Sequence, residues 1–284
     1  MLDLKFLRRH PDVVKAGSLK KRIPCDVDRI LELDVSHREL GAEIDELRSR
    51  QKAAGGAIAK ATPEERTALL AEQKDLKTGL KDLEAKQGVI EGELKGLLLL
   101  VPMPPADEVP DGKTDEDNVE LRKVGTPRTF DFEARSHIEI GESQGWLDIE
   151  RGARLAGSRN YVLKGDLSLL EHAVMRYALD LMVGRGFTSV SVPTLVRRSA
   201  MEGTGYFPGG EDQAYGTDER DDLFLVGTAE VPLTALYQGE ILPQSELPVK
   251  MVALSQCYRR EAGTYGKDTK GLYRVHQFLK VEQV

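Results

Sequence analysis

From Ile30 onward the hydrophobic positions advance in alternating steps of three and four: Ile30, Leu33, His37, Leu40, Ile44, Leu47, Gln51, Ala54 and Ile58. That spacing is the seam of a coiled-coil helix. It stops at residues 60–65, where Thr62 can cap a new helix with Pro63 at its first position and Glu65 at its third. A second seam then runs Leu69, Gln73, Leu76, Leu80, Leu83, Gln87, Ile90, Leu94 and Leu97. The two predict an antiparallel hairpin and its register. Ile44 with Leu80, Ile30 with Leu94, Gln51 with Gln73 and His37 with Gln87 share a nearly constant sum of residue numbers, which puts the turn at Thr62. Polar breaks on one helix then meet polar breaks on the other, a device that fixes alignment. His37 is expected to bond Gln87 as a structural seam residue. Each helix is about 35 residues long, or roughly 50 Å at 1.5 Å per residue. Gly41, Gly55, Gly56, Gly79, Gly88, Gly92 and Gly96 oppose the hairpin by about 1 kcal/mol each. Roughly a dozen aliphatic seam residues at about 1.5 kcal/mol each outweigh them, with bending and fraying expected near Gly55 and Gly56.

Beyond the seams, residues 101–128 are rich in Pro, Gly and acid and mark a boundary. The expected domains are 1–110, with a helical arm over about 28–100, and 111–284. In the second domain, residues 167–183 have helical periodicity at Leu169, Leu170, Ala173, Val174, Tyr177, Leu181 and Met182. Gly184 and Gly186 stop this helix, and a β-rich run over 187–192 ends at Pro193. Residues 222–233 read as a strand that ends in Gly227-Thr228-Ala229-Glu230 before a helix, with Thr228 able to act as its N-cap and Glu230 in its first turn. Residues 203–210, GTGYFPGG, read as a surface loop without chemistry. Residues 251–258 and 275–281 read as two antiparallel strands around a loop containing Gly263, Gly266 and Gly271. The fold class is therefore α+β.

Composition narrows the function. The 284 residues carry a net charge of -7, which excludes wholesale coating of nucleic acid and confines any RNA contact to local basic patches. Cys25 and Cys257 stand far apart with no ligand cluster, so neither a disulfide scaffold nor a metal site is expected. The longest apolar run, residues 97–101, is too short to span a bilayer, and a soluble cytoplasmic protein is expected. Against this acidic background residues 257–282 concentrate Arg259, Arg260, Lys267, Lys270, Arg274, His276 and Lys280, opposed by Glu261, Asp268 and Glu282. A solvated charged hairpin is the bland alternative. A polyphosphate is the ligand that paired guanidinium donors match best.

The order Arg-Arg-Glu, glycine loop, Arg-x-His-x-Phe, Glu resembles motif 2 of the class II aminoacyl-tRNA synthetases in the form found in seryl-tRNA synthetases. The helix and strand over 167–193 are similar to motif 1, and the opening MLDLKFLRRHPDVV and the arm also resemble that family. The resemblance implies an N-terminal arm that grips tRNA(Ser), with tRNA(Sec) as a second candidate, and an antiparallel-sheet catalytic domain that dimerises through motif 1. It implies serine activation by ATP, with Mg2+, to seryl-adenylate and transfer to tRNA. Arg259 would clamp the α-phosphate and carboxylate, and Glu261 would face the adenine amino group or a metal. Phe278 would stack on adenine near the Val275 backbone. Arg260, Arg274 and His276 would complete the ATP site, the last two toward the outer phosphates. Thr228, Ala229, Glu230 and Glu282 would hold serine, with Glu282 accepting from its hydroxyl. Lys267 and Lys270 would meet the tRNA acceptor end.

The sequence contains no motif 3, with its second arginine, its further metal-binding Glu and its serine-contacting Ser. The expectation is a fragment, incomplete in its catalytic domain, that does not activate serine at a normal rate alone. The rivals are a catalytically inactive tRNA-binding paralogue that keeps the arm, an amino-acid:carrier-protein ligase on the same fold, and a coiled-coil assembly protein. Intact Thr228, Arg259, Glu261 and Glu282 weigh against the first of these. The long arm weighs against the second, and ATP binding separates the third.

Overall fold

The computed structural model describes residues 2–58, 61–263 and 270–284. The chain divides into two compact units, Met1–Lys123 and Val124–Val284.

The first unit is helical: α1 (Leu4–Arg9), α2 (Pro11–Lys21), α3 (Val27–Ile58) and α4 (Pro63–Leu100). Helices α3 and α4 form the antiparallel hairpin, and every residue of both expected seams is buried or half-buried. The turn is built as the sequence implies. The Thr62 hydroxyl accepts from the Glu65 amide, the Glu65 carboxylate accepts from the Thr62 amide, and Pro63 opens α4. At its base the hairpin closes a core of Leu7, Val14, Val27, Ile30, Leu33, Leu94, Leu98 and Val101. Buried Asp34 on α3 is gripped by Arg8 of α1, at 2.7 Å from Nε and 2.8 Å from Nη2. Those hydrogen bonds hold the Asp34 carboxyl below the usual carboxylate range despite its burial.

Two details of the arm differ from expectation. Gln87 Nε2 donates to the main-chain carbonyl of His37 at 3.5 Å, not to the imidazole. Helix α3 also runs unbroken through Gly55 and Gly56 to Ile58. The amide of Gln87 lies 3.4 Å from where a Cβ on Gly41 would sit, and that of Gln73 lies 3.7 Å from the same point on Gly55. Gly41 and Gly55 of α3 thus face two glutamines of α4, and Gln73 reaches one turn beyond its expected partner Gln51.

The second unit contains α5 (His137–Ser143), β1 (Leu147–Asp148), α6 (Ile149–Ala156), β2 (Val162–Leu163), α7 (Asp166–Gly184), β3 (Thr188–Ser189), β4 (Leu195–Arg197) and α8 (Arg198–Gly203). They are followed by β5 (Tyr215–Gly216), β6 (Leu223–Leu225), α9 (Glu230–Ala235), β7 (Met251–Tyr258) and β8 (Gln277–Gln283). Strands β1 and β2 pair, and β4, β6 and β5 form an antiparallel sheet in that order. The third sheet has the order β3-β7-β8. The two long strands are antiparallel, from Tyr258 opposite Gln277 to Val252 opposite Gln283, and β3 lies parallel to β7. Strand β8 begins two residues later than the sequence pattern suggests. Val275 is buried instead at the foot of the hairpin.

Residues 203–210 are not a plain surface loop. Phe207, before a cis bond to Pro208, is 1 % exposed and packs with Val196, Met201, Ala214, Val226 and Val231. Its ring meets Phe224 edge-on at 4.9 Å, with the Arg198 guanidinium 5.0 Å above it. An aromatic inside a glycine-rich run is hidden from periodicity, which samples regular elements only. Among the described residues no helix is long and apolar enough to cross a membrane.

Candidate active site

Strand β7 delivers Arg259 just past its end. The strand exits with the Tyr258 amide donating to Val226 O at 2.8 Å, and the Arg259 amide donates to His276 O at 2.9 Å. Arg259 then lies across the end of β6. Its Nε donates to Gly227 O at 3.2 Å, and its guanidinium carbon is 5.4 Å from the centre of the Phe278 ring. A Cβ at residue 227 would stand 3.3 Å from the Arg259 side chain, so glycine makes the close approach possible.

Glu261 follows in the left-handed conformation, with φ of 49°. Its carboxylate pairs with Arg274 at 2.9 Å, and its carbonyl accepts from Arg159 at 2.7 Å. Gln213 clamps the same turn. Its carbonyl accepts from the Arg260 amide at 2.9 Å, and its side chain makes two bonds to the Ala262 main chain at 3.0 and 3.1 Å.

Two cavities share Arg259, Glu261 and Arg274. One of about 380 Å³ is also lined by Tyr206, Gln213 and Gly227. The other, of about 570 Å³, is lined by Tyr273, Val275 and Phe278. Burial pushes the Tyr206 hydroxyl up, while Arg259 and Lys280 oppose that shift and Glu230 and Glu282 add to it. Sites of this size with convergent cations suit an anionic ligand of small-molecule dimensions.

Beside the first cavity the chain continues from Gly227 into a half-buried polar cluster. The Thr228 hydroxyl donates to Glu282 Oε2 at 2.5 Å and accepts from Lys280 Nζ at 2.9 Å and from the Glu230 amide at 3.2 Å. Lys280 also pairs with Glu282 Oε2. Burial pushes the Glu282 carboxyl up, but the Lys280 ammonium and the Thr228 hydroxyl outweigh it and leave it below the ordinary value.

Of the expected residues, the structure brings Arg259, Glu261, Arg274, Val275 and Phe278 to the cavities, and Thr228 and Glu282 to each other. Ala229 takes the N-cap position of α9, which had been expected for Thr228, and is buried against Leu233, Met251 and Ala253. The Glu230 side chain is exposed. The Arg260 side chain is exposed and lines neither cavity, and its amide is spent on Gln213. His276 turns its Nδ1 to Arg259 O at 2.9 Å and its ring toward Tyr215, and it lines neither cavity. Lys270 is exposed, and Lys267 lies outside the described residues.

Sequence reasoning missed Tyr206, Gln213 and Arg159, and named Lys280 without giving it a role. Only Lys280 had a local signal: two-residue alternation along β8 sets it on one face with Phe278 and Glu282. No described group of three His, Cys, Asp or Glu side chains forms a metal cluster, and the carboxylate facing both cavities is already paired with Arg274. The described residues therefore do not form a cage for Mg2+.

Known proteins resemble this arrangement over the whole chain. Residues 1–105 match the seryl-tRNA synthetase N-terminal domain, and residues 214–284 match the tRNA synthetase class II core domain (G, H, P, S and T). The serine–tRNA ligase of Deinococcus radiodurans is 46 % identical over 283 residues, which cover 100 % of this chain and 66 % of that protein. The serine–tRNA ligase of Methanoregula boonei is 42 % identical over 288 residues, covering 100 % and 68 %. The chain thus spans about two thirds of the length of these curated relatives. A crystal structure of seryl-tRNA synthetase from Pyrococcus horikoshii complexed with ATP superposes with a TM-score of 0.81 at 35 % identity. It covers 100 % of this chain and 69 % of the other.

Proposed function

Since the chain belongs to the seryl-tRNA synthetase family, of class II core architecture, we propose that it serves serine–tRNA ligation. The serine carboxylate attacks the α-phosphorus of ATP to give seryl-adenylate and pyrophosphate, and the seryl group then passes to the tRNA 3′ end. Both reactants are anionic, so the protein's task is alignment and charge neutralisation, without an obligatory base. Arg259 is the clamp between the α-phosphate and the carboxylate. Its bond to Gly227 O and its place over Phe278 hold the guanidinium at the junction of the two cavities and the Thr228–Glu282 cluster. That position is the observation that carries the proposal.

Glu261, oriented by Arg274 and Arg159, faces the adenine amino group, and Phe278 and the Val275 backbone border the base. ATP arrives as its Mg2+ complex, in the usual manner of a cation carried by phosphate oxygens. No step here depends on a protein-held metal. Glu282 accepts from the serine hydroxyl, with Thr228 beside it and Glu230 at the mouth. A ligand without that hydroxyl leaves a buried acceptor unpaired, which disfavours alanine strongly.

The α3–α4 arm is the surface for tRNA(Ser). The exposed apolar residues Leu169, Leu170, Val174 and Tyr177 on α7 support a homodimer through motif 1. The mutual bonding of Thr228, Lys280 and Glu282, beside an intact Arg259 and Glu261, favours catalysis over an arm-only RNA-binding role.

The test is serine-dependent ATP–pyrophosphate exchange by the protein that carries this chain. Arg259→Ala and Arg259→Lys are expected to lower exchange by about 10²-fold or more, as for loss of a group stabilising transition-state charge. Unchanged turnover in either variant would overturn the assignment.

A further inference from the structure

The hydroxyl of Thr228 has one proton and two lone pairs. Lys280 Nζ and the Glu230 amide can only donate to it, and at 2.9 and 3.2 Å they occupy both lone pairs. The proton therefore has a single direction, toward Glu282 Oε2 at 2.5 Å. Lys280 pairs with that same oxygen, so both side-chain bonds fall on one edge of the carboxylate.

The strand geometry builds this in. Lys280 and Glu282 are two residues apart on β8 and share a face. Opposite them on β7 stand the small residues Ser255 and Ala253, with Cys257 opposite Phe278. The other charged or titratable groups around the cluster are Arg259, Glu230 and Tyr206, and the charges of Arg259, Glu230, Lys280 and Glu282 all act on the Tyr206 hydroxyl.

We propose that Lys280 is a positioning residue of the amino-acid pocket. Its ammonium fixes the direction of the Thr228 hydroxyl and anchors Glu282 by Oε2, so that the Thr228 proton is turned to the carboxylate and not to the ligand. The inference rests on the reading of Thr228 and Glu282 as the site for a hydroxy-amino acid, and it deepens that reading by naming what sets the pocket's polarity. A pocket polarised this way favours ligands that donate, through both a hydroxyl and an ammonium. Without Lys280 the Thr228 hydroxyl can rotate, and the carboxylate loses the charge that offsets its burial.

The experiment compares Lys280→Met, Lys280→Gln and Lys280→Arg in the complete protein. Serine and ATP affinities are measured by calorimetry, and the Glu282 carboxyl is followed by carbon NMR with Glu282→Gln as the assignment control. Lys280→Met is expected to weaken serine about tenfold or more, the scale of one lost charge-assisted bond. ATP affinity is expected to hold within about twofold, and the Glu282 titration to move upward. Lys280→Arg is expected to stay near the parent. Lys280→Gln can still donate to Thr228, so it is expected to lose less serine affinity than Lys280→Met while still raising the Glu282 titration. It serves in place of Lys280→Met if that variant does not fold. Equal weakening of serine and ATP, or an unmoved Glu282 titration in a folded Met or Gln variant, would overturn the proposal. A parent protein that binds ATP but not serine would instead sink the serine reading, and the Glu282 titration would still decide whether Lys280 holds the carboxylate.

Discussion

The arm and the β7–β8 hairpin are both antiparallel pairs, yet they are assembled on opposite principles. In the arm every seam residue is at least half-buried along the hairpin, and polar side chains of one helix meet glycines of the other: Gln87 lies against Gly41 and Gln73 against Gly55. The β-hairpin takes its functional contacts from far along the chain. Arg259 is held by Gly227, Arg260 by Gln213, Glu261 by Arg159, and Glu282 by Thr228. The arm is a sum of repeated local contacts, whereas the site is a convergence of single ones. A lesion in the arm should stay where it is made. A lesion in the lobe that carries Gln213, Gly227 and Thr228 should disable a site it does not touch.

The strongest challenge to that contrast is Phe207→Ala. Phe207 lines no part of the two cavities, but it fills the core under β4, β6 and the Thr228 turn. Removing a fully buried ring is expected to cost about 3–5 kcal/mol. In urea titrations the second unit should unfold early, and ATP affinity should fall with it, while the far-ultraviolet signal of the arm persists to higher denaturant. If ATP binds normally to Phe207→Ala, the site does not depend on this lobe and the contrast fails.

The same contrast explains what was legible in the sequence. The steps of three and four in 30–58 and 69–97 determine helix, partner and turn at once, so the capping box at Thr62 could be read directly. The composition of 257–282 betrayed an anion site, because a run of arginines in an acidic chain has few other uses. Its strands were legible to within two residues. Tyr206 and Gln213 were not legible. Each does its work through tertiary contacts about fifty residues away, and neither a glycine-rich loop nor a short turn has a period from which such contacts can be read. Arg260 and His276 lie outside both cavities. Their residue types suit phosphate, but the backbone turns one outward and ties the other to the Arg259 carbonyl.

A smaller effect should appear with pH at the arm's base. Asp34 is depressed in the folded state by Arg8, so its contribution is complete above the unfolded value near 4 and is lost as pH falls through the lower, folded value. Asp34→Asn is expected to cost about 1–2 kcal/mol at neutral pH, less than a fully buried pair because Arg8 stays partly solvated. Thermal unfolding of the first unit, followed from pH 7 down to pH 3, should lose part of its acid slope in the variant. An identical slope would mean that other carboxylates set it.

The smallest effect tests the claim that damage in the arm stays local. Thr62→Ala removes the hydroxyl that caps α4 and leaves the Glu65 amide without its side-chain acceptor, a change expected to cost about 1 kcal/mol. That cap sits at the far end of the hairpin from the core of Leu7, Ile30 and Leu94. Its loss should open the first turn of α4 without loosening the base. Amide exchange at residues 64–67 should quicken about fivefold, the factor that 1 kcal/mol represents. Exchange at residues 90–98 should quicken less. Protection lost evenly along α4 would show that the arm behaves as one cooperative body, and the difference drawn between it and the site would then be one of degree.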